Sequence, residues 1–127
     1  MLLGIDWGEK KIGLAIADEE ITIASAFEIL ENNKDIFVNL HKIVKENDIN
    51  KIVIGKSAHV SQSDNTKLIE QFGERCRDYI NIEVVFVPEM FSTHEAHMNL
   101  KSVGKKKIDS IDDAESARII LQTFLDK

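Results

Sequence analysis

Apolar residues first occur in short runs that are separated by polar turns, which is the pattern of β-strands. These runs cover residues 2–5, 12–16 and 21–30. The first turn contains glycine and lysine residues, and the second follows the acidic stretch of residues 18–20. Because both turns are short, we predict that the first three strands form an antiparallel meander.

Further along the chain, the apolar spacing changes to that of amphipathic helices. Residues 36–44 and residues 68–80 each place their apolar side chains on one helical face. A capping-box sequence that begins at Ser92 predicts a short helix, and a last helix is predicted over residues 110–126. The chain is therefore expected to contain about four helices.

Two almost continuously apolar segments, residues 51–55 and 82–87, are typical of strands that are covered on both faces. Each follows a predicted helix, so right-handed crossovers would make these strands parallel. If the first strand pairs with them, the result is an α/β fold with a mixed five-stranded sheet. Asp6 ends the first strand and Glu89 follows the last. We expect both carboxylates at the sheet edge where α/β proteins bind ligands.

Length and composition indicate one globular domain over residues 1–127. Hydrophobic residues make up 43% of the chain, yet no apolar run approaches the ~18 residues of a membrane span. We therefore expect no membrane association. The single cysteine, Cys76, falls on the apolar face of a predicted helix, so we interpret it as a core residue. A lone cysteine fits a reducing compartment, which predicts a cytoplasmic protein.

The formal net charge of −6 is unusual for a protein that binds nucleic acid, because phosphate binding leaves a basic footprint. Positive charge is nevertheless concentrated locally. Lys10 and Lys11 lie in the first turn beside Asp6, and residues 105–107 are three consecutive lysines. This distribution favours transient contact with a polyanion over tight coating of a duplex.

Several short motifs follow one another along essentially the whole chain: Asp6-x-Gly8-x4-Gly13, a strand that ends in Gly55, Pro88-Glu89-Met90-Phe91-Ser92-Thr93, and Asp113-x3-Ala117. Together they resemble the YqgF/RuvX family, the proposed Holliday junction resolvases of ribonuclease H-like fold. The resemblance implies a five-stranded mixed sheet that is flanked by helices. It also implies a divalent-metal nuclease that takes part in 5′-end maturation of 16S ribosomal RNA.

The resemblance assigns roles to single residues. Asp6, Glu89 and Asp113 match the three acids of the family, which implies that they are catalytic and bind Mg²⁺ or Mn²⁺. Lys10 or Lys11 matches the basic residue of the first turn, and Ser92 and Thr93 match a hydroxyl pair. The complete set of expected substrate-binding residues is Lys10, Lys11, Lys56, Ser92, Thr93, Lys105, Lys106 and Lys107.

The chain departs from the family pattern beside Glu89. Pro88 stands where the family usually has an acid, and Met90 where it has an arginine. Lys56 is the candidate replacement for the lost positive charge. Asp113 also fits another interpretation, in which it forms a capping box with Ser110 at the start of the last helix.

Three functions remain open at this point. The preferred one is a metal-dependent nuclease that processes the 5′ end of pre-16S ribosomal RNA. The second is a Holliday junction resolvase, which cuts DNA and would be favoured by dimerisation. The third is a catalytically attenuated nucleic-acid-binding domain, which would fit Pro88, Met90 and the acidic net charge. RNA is therefore favoured over DNA as the partner, and the protein is expected to be a monomer or a homodimer.

Overall fold

A computed structural model describes residues 1–56, 64–88 and 112–127 of the chain. These residues form one five-stranded sheet and three helices. The strands are β1 (Leu2–Asp6), β2 (Lys11–Asp18), β3 (Ile23–Glu31), β4 (Lys51–Lys56) and β5 (Glu83–Pro88). The helices are α1 (Ile36–Glu46), α2 (Asp64–Ile80) and α3 (Asp113–Leu125).

The strand order in the sheet is β3-β2-β1-β4-β5. The first three strands are antiparallel neighbours, as their short connections require. Strands β1, β4 and β5 are parallel, and a helix provides the crossover between β3 and β4 and between β4 and β5. The predicted α/β architecture, with an antiparallel half and a parallel half that share β1, is therefore confirmed.

Alternation along the strands separates two apolar layers. One face of the sheet carries large side chains, among them Leu3 and Ile5, which pack against α1 and α2. The opposite face carries small residues, including Ala15 and Ala17, and is covered by α3. Cys76 of α2 is fully buried in the first layer, and burial raises the pKa of its thiol to about 12. The prediction that Cys76 is a core residue is confirmed.

Helix α3 lies unusually close to the sheet because glycine faces it. A β-carbon built onto Gly4 would lie only 2.7 Å from Cβ of Leu121. The far end of the helix is fixed by Gln122, whose side-chain oxygen accepts from the Ala24 amide at 2.9 Å. The Gln122 amide nitrogen donates to the Thr22 carbonyl at 3.0 Å. The helix is thus held against the sheet along its length.

The structure corrects the predicted start of the last helix. The N-cap of α3 is Asp112, whose carboxylate accepts from the Glu115 amide at 2.8 Å. A capping box between Ser110 and Asp113 is therefore wrong, because Asp113 is already the first helical residue. The physical reason is that Asp112 and Glu115 themselves have the spacing of a capping box.

The predicted short helix at Ser92 lies outside the described residues, so three of the expected helices can be compared. Helix α2 begins at Asp64, four residues before the predicted apolar face starts at Leu68. Leu68 and Tyr79, both assigned to that face, are exposed. None of the described helices combines the length and the apolar character needed to cross a membrane.

Candidate active site

One edge of the sheet gathers the strand ends that matter for function. The carboxyl ends of β1, β4 and β5 meet there, since the three strands are parallel and in register. β3 also ends at this edge, because it runs antiparallel to β2, which is antiparallel to β1. The described helices begin on the same side. Their amino-terminal ends carry partial positive charge, which favours anionic ligands.

Asp6 occupies the last position of β1 at this edge and is half-buried. It pairs directly with Gly13 of β2. Side chains two residues apart on a strand share a face, so Asp6 lies on the same face as Gly4. That is the face covered by α3.

Asp113 reaches the same place through a backbone contact. A β-carbon built onto Gly13 would lie 1.8 Å from the carbonyl oxygen of Asp113 and 2.7 Å from the amide nitrogen of Ala114. The first turn of α3 therefore rests directly on Gly13, whose cross-strand neighbour is Asp6. Paired residues of antiparallel strands have α-carbons about 5 Å apart. The structure thus brings Asp6 and Asp113 together at one edge and on one face.

The surroundings of Asp113 leave its carboxylate available for a ligand. The capping role belongs to Asp112, and Glu115 is engaged by Arg118, with Oε1 and Nε 2.6 Å apart. Within the described residues, Asp113 itself forms no hydrogen bond or ion pair through its side chain. Asp112 was not predicted from the sequence as the N-cap, although its spacing to Glu115 is the signal that identifies it.

The third expected acid, Glu89, lies outside the described residues, as do Ser92, Thr93, Lys105, Lys106 and Lys107. The residue before Glu89 in the sequence is Pro88, which ends β5 at the same edge and pairs with Lys56 of β4. Among the described residues, no group of three or more His, Cys, Asp or Glu side chains is placed to hold a metal ion. Of the three expected metal ligands, the structure describes two, Asp6 and Asp113.

The three expected lysines that the structure describes lie at this edge but on different surfaces. Lys10 and Lys11 are exposed in the turn between β1 and β2 and at the start of β2. Lys56 lies on the opposite face from Asp6, beside α2. Its Nζ is 2.5 Å from Oε2 of Glu70 and 5.8 Å from the ring centroid of Phe86.

The sequence is similar to proteins of one family along essentially its whole length. A family model described as "RuvX: Holliday junction resolvase" matches residues 1–127. A relative from Dictyoglomus turgidum, named as a proposed pre-16S rRNA nuclease, is 39% identical over 98% of this chain and 93% of its own length. A Bacillus cereus relative of the same name is 34% identical over 99% of this chain and 98% of its own length.

Solved structures share the fold at low sequence identity. RuvC of T. thermophilus, in complex with a Holliday junction substrate, aligns with a TM-score of 0.63 and 12% identity, covering 98% of this chain and 92% of that chain. The fowlpox virus resolvase, in complex with Holliday junction DNA, gives a TM-score of 0.57 and 13% identity over 99% of both chains. The fold is therefore ribonuclease H-like. With the whole-length family match and the 39% identical relative, the chain belongs to the RuvX family.

Proposed function

We propose that this protein is a divalent-metal-dependent nuclease that processes the 5′ end of pre-16S ribosomal RNA. The observation that carries the proposal is the meeting of Asp6 and Asp113 across Gly13, at the carboxyl edge of a ribonuclease H-like sheet. Membership of a family of junction-cleaving enzymes supports phosphodiester hydrolysis as the reaction.

The donor atoms at this edge fit Mg²⁺ or Mn²⁺. Both ions prefer oxygen ligands and keep several waters, so two or three carboxylates are sufficient. Asp6 and Asp113 would hold the metal, and Glu89 is proposed as the third ligand because it directly follows β5 in the sequence. When bound, divalent ions supply an activated water and charge stabilisation for the leaving oxygen.

Local positive charge would attract the phosphates of the substrate to this edge despite the net charge of −6. Lys10 and Lys11 are exposed at the start of the hairpin that carries Asp6 and Gly13. They are proposed to contact substrate phosphates on either side of the scissile bond. Lys56 lies on the opposite face of the sheet, where Glu70 neutralises part of its charge. It is therefore proposed to contact the substrate further from the scissile bond than Lys10 and Lys11 do.

RNA is the proposed substrate because the relatives that align over nearly the whole chain are named as nucleases of pre-16S rRNA. The description of the family favours a second candidate, cleavage of four-way DNA junctions. Both functions use the same acids, so the substrate distinguishes them.

The decisive experiment compares wild type with Asp6→Asn on a 5′-extended 16S precursor fragment and on a four-way DNA junction, with Mg²⁺ or Mn²⁺. We expect the wild type to cut the precursor and the variant to be slower by orders of magnitude, because a metal ligand is lost. Asp48→Asn is the matched control. Asp48 is exposed just before β4, at the opposite edge, and asparagine tolerates its φ of 52°. Equal activity of wild type and Asp6→Asn on both substrates would overturn the proposal and favour the binding-domain alternative.

A further inference from the structure

A cavity of about 220 Å³ lies one residue away from Asp6, on the opposite face of the sheet. Trp7, which follows Asp6, forms one wall and packs partly buried against the core beneath α1 and α2. The segment after β3 forms a second wall with Asn32 and Lys34, and Arg75 of α2 forms a third. The cavity therefore combines an aromatic ring, an amide and two cations beside the proposed cleavage site.

Arg75 is held in place without being neutralised. Its guanidinium carbon lies 4.5 Å from the ring centroid of Phe37, a cation–π contact that orients the group. No described carboxylate forms an ion pair with it, whereas Arg77 and Arg118 pair with glutamates. The planar donors of Arg75 thus remain available for an anion, and a guanidinium matches phosphate geometry.

The opposite wall is fixed by hydrogen bonds to the hairpin that carries Asp6. The side-chain nitrogen of Asn32 donates to the Gly8 carbonyl at 2.7 Å, and its backbone amide donates to the Lys10 carbonyl at 2.9 Å. Asn33 accepts from the Asp35 amide at 2.9 Å. This leaves the side-chain oxygen of Asn32 as an acceptor in a preorganised wall, and Lys34 beside it is exposed.

We propose that this cavity binds one unpaired nucleotide of the substrate strand, with its base against Trp7 and its phosphate at Arg75 and Lys34. At about 220 Å³ the cavity is smaller than most small-molecule sites, so it suits a single base rather than a base pair. Aromatic stacking with cationic phosphate contacts is how proteins hold single-stranded nucleic acid. The inference rests on the proposed function and restricts its substrate to strands that are unpaired next to the cleavage site.

Trp7 is the single tryptophan of the chain, so its fluorescence reports directly on this cavity. The full-length protein is titrated, without divalent metal, with an RNA hairpin that carries a 5′ single-stranded extension. The same hairpin with a blunt end and a free mononucleotide are titrated in parallel. We expect the extended hairpin to quench Trp7 and to bind at least about tenfold more tightly than the blunt hairpin. Quenching by the mononucleotide at the affinity of the extended hairpin would overturn the proposal in favour of a free-nucleotide site.

Variants test which residues carry the binding. Arg75→Gln is expected to weaken binding of the extended hairpin about tenfold, and Arg75→Lys to recover part of the loss. Lys45→Gln makes the same change of charge in the last turn of α1, at the far end of the helix from Lys34, and is expected to bind as wild type. Thermal melting confirms that each variant is folded.

Equal affinities for Arg75→Gln and Lys45→Gln, or equal binding of both hairpins, would overturn the proposal. Trp7→Leu keeps an apolar side chain against the core, and in a labelled-hairpin assay it is expected to lose the preference for the extension. The outcome is separable from that of the proposed function. Cleavage that depends on Asp6 but not on Arg75 would leave the nuclease standing without this site, and quenching without cleavage would leave the site standing without the nuclease.

Discussion

At the residue scale, Gly13 determines whether the two described acids can meet. Replacing it by alanine would force a β-carbon into the backbone of Asp113, which cannot move away as a side chain can. We expect Gly13→Ala to lower the free energy of unfolding by about 3 kcal/mol and to abolish cleavage. Urea denaturation and the precursor assay measure the two effects.

Gly73→Ala is the matched comparison for that substitution. A β-carbon at Gly73 would meet the end of the Phe86 ring, which is a side chain, and alanine favours the helix by about 1 kcal/mol. We expect a clearly smaller loss of stability than for Gly13→Ala. A loss at Gly13 as small as the loss at Gly73 would show that α3 can shift away from the sheet at little cost.

The pair of Lys56 and Glu70 gives a second prediction at this scale. Glu70→Gln removes the carboxylate that neutralises Lys56, so nucleic acid is expected to bind a few-fold more tightly and with a salt dependence steeper by about one phosphate contact. Glu83→Gln is the control, because it releases Lys51 at the opposite edge, where Nζ lies 3.9 Å from Oε2 of Glu83. Affinities that respond equally to both changes would exclude a substrate contact of Lys56.

At the scale of elements, the start of α3 links capping to the site. Asp112→Ala removes the acceptor for the Glu115 amide and is expected to cost about 1 kcal/mol of stability. Because Asp113 is the next residue, the affinity for Mn²⁺ should fall as well. Asp112→Ser retains a capping oxygen and is expected to restore both properties, as isothermal titration and thermal melting can show. Failure of Asp112→Ser to restore metal affinity would mean that Asp112 itself contacts the ion.

The elements also show what the sequence could predict. The antiparallel half of the sheet followed from short apolar runs and short turns, and β4 and β5 followed from continuous apolar runs after helices. The pairing of β1 with β4 was a condition that the sequence could not test and that the structure confirms. Given that pairing, the position of Asp6 followed because parallel strands end at one edge. The contact of Asp113 with Gly13 joins residues 100 positions apart through backbone atoms, and no local pattern encodes it. The cavity beside Trp7 was missed for the same reason, since three separate segments form its walls.

At the scale of the whole molecule, Cys76 couples stability to pH. In the folded protein burial raises the pKa of its thiol to about 12 from an ordinary value of 9.0. The unfolded chain therefore releases this proton first as the pH rises. The contribution of this thiol to the free energy of unfolding is fully present below about pH 9 and is lost progressively between pH 9 and pH 12.

Cys76→Ala is expected to flatten this part of the stability profile, measured by urea denaturation at several pH values, although it also lowers stability at every pH by leaving a cavity. The thiol should react with alkylating reagents only as the protein unfolds, since it is fully buried. Labelling much faster than unfolding would show that α2 opens locally.

The close seating of α3 on Gly4 and Gly13 has a consequence for how this protein tolerates change. The spacing between the helix and the acid-bearing strand is set by main-chain atoms, and Gln122 anchors the other end. Substitutions on the outward side of α3, such as Ile119 or Thr123, would therefore alter the surface without altering the separation of the two acids. Sequence change on that side of the helix is therefore compatible with unchanged chemistry at the site.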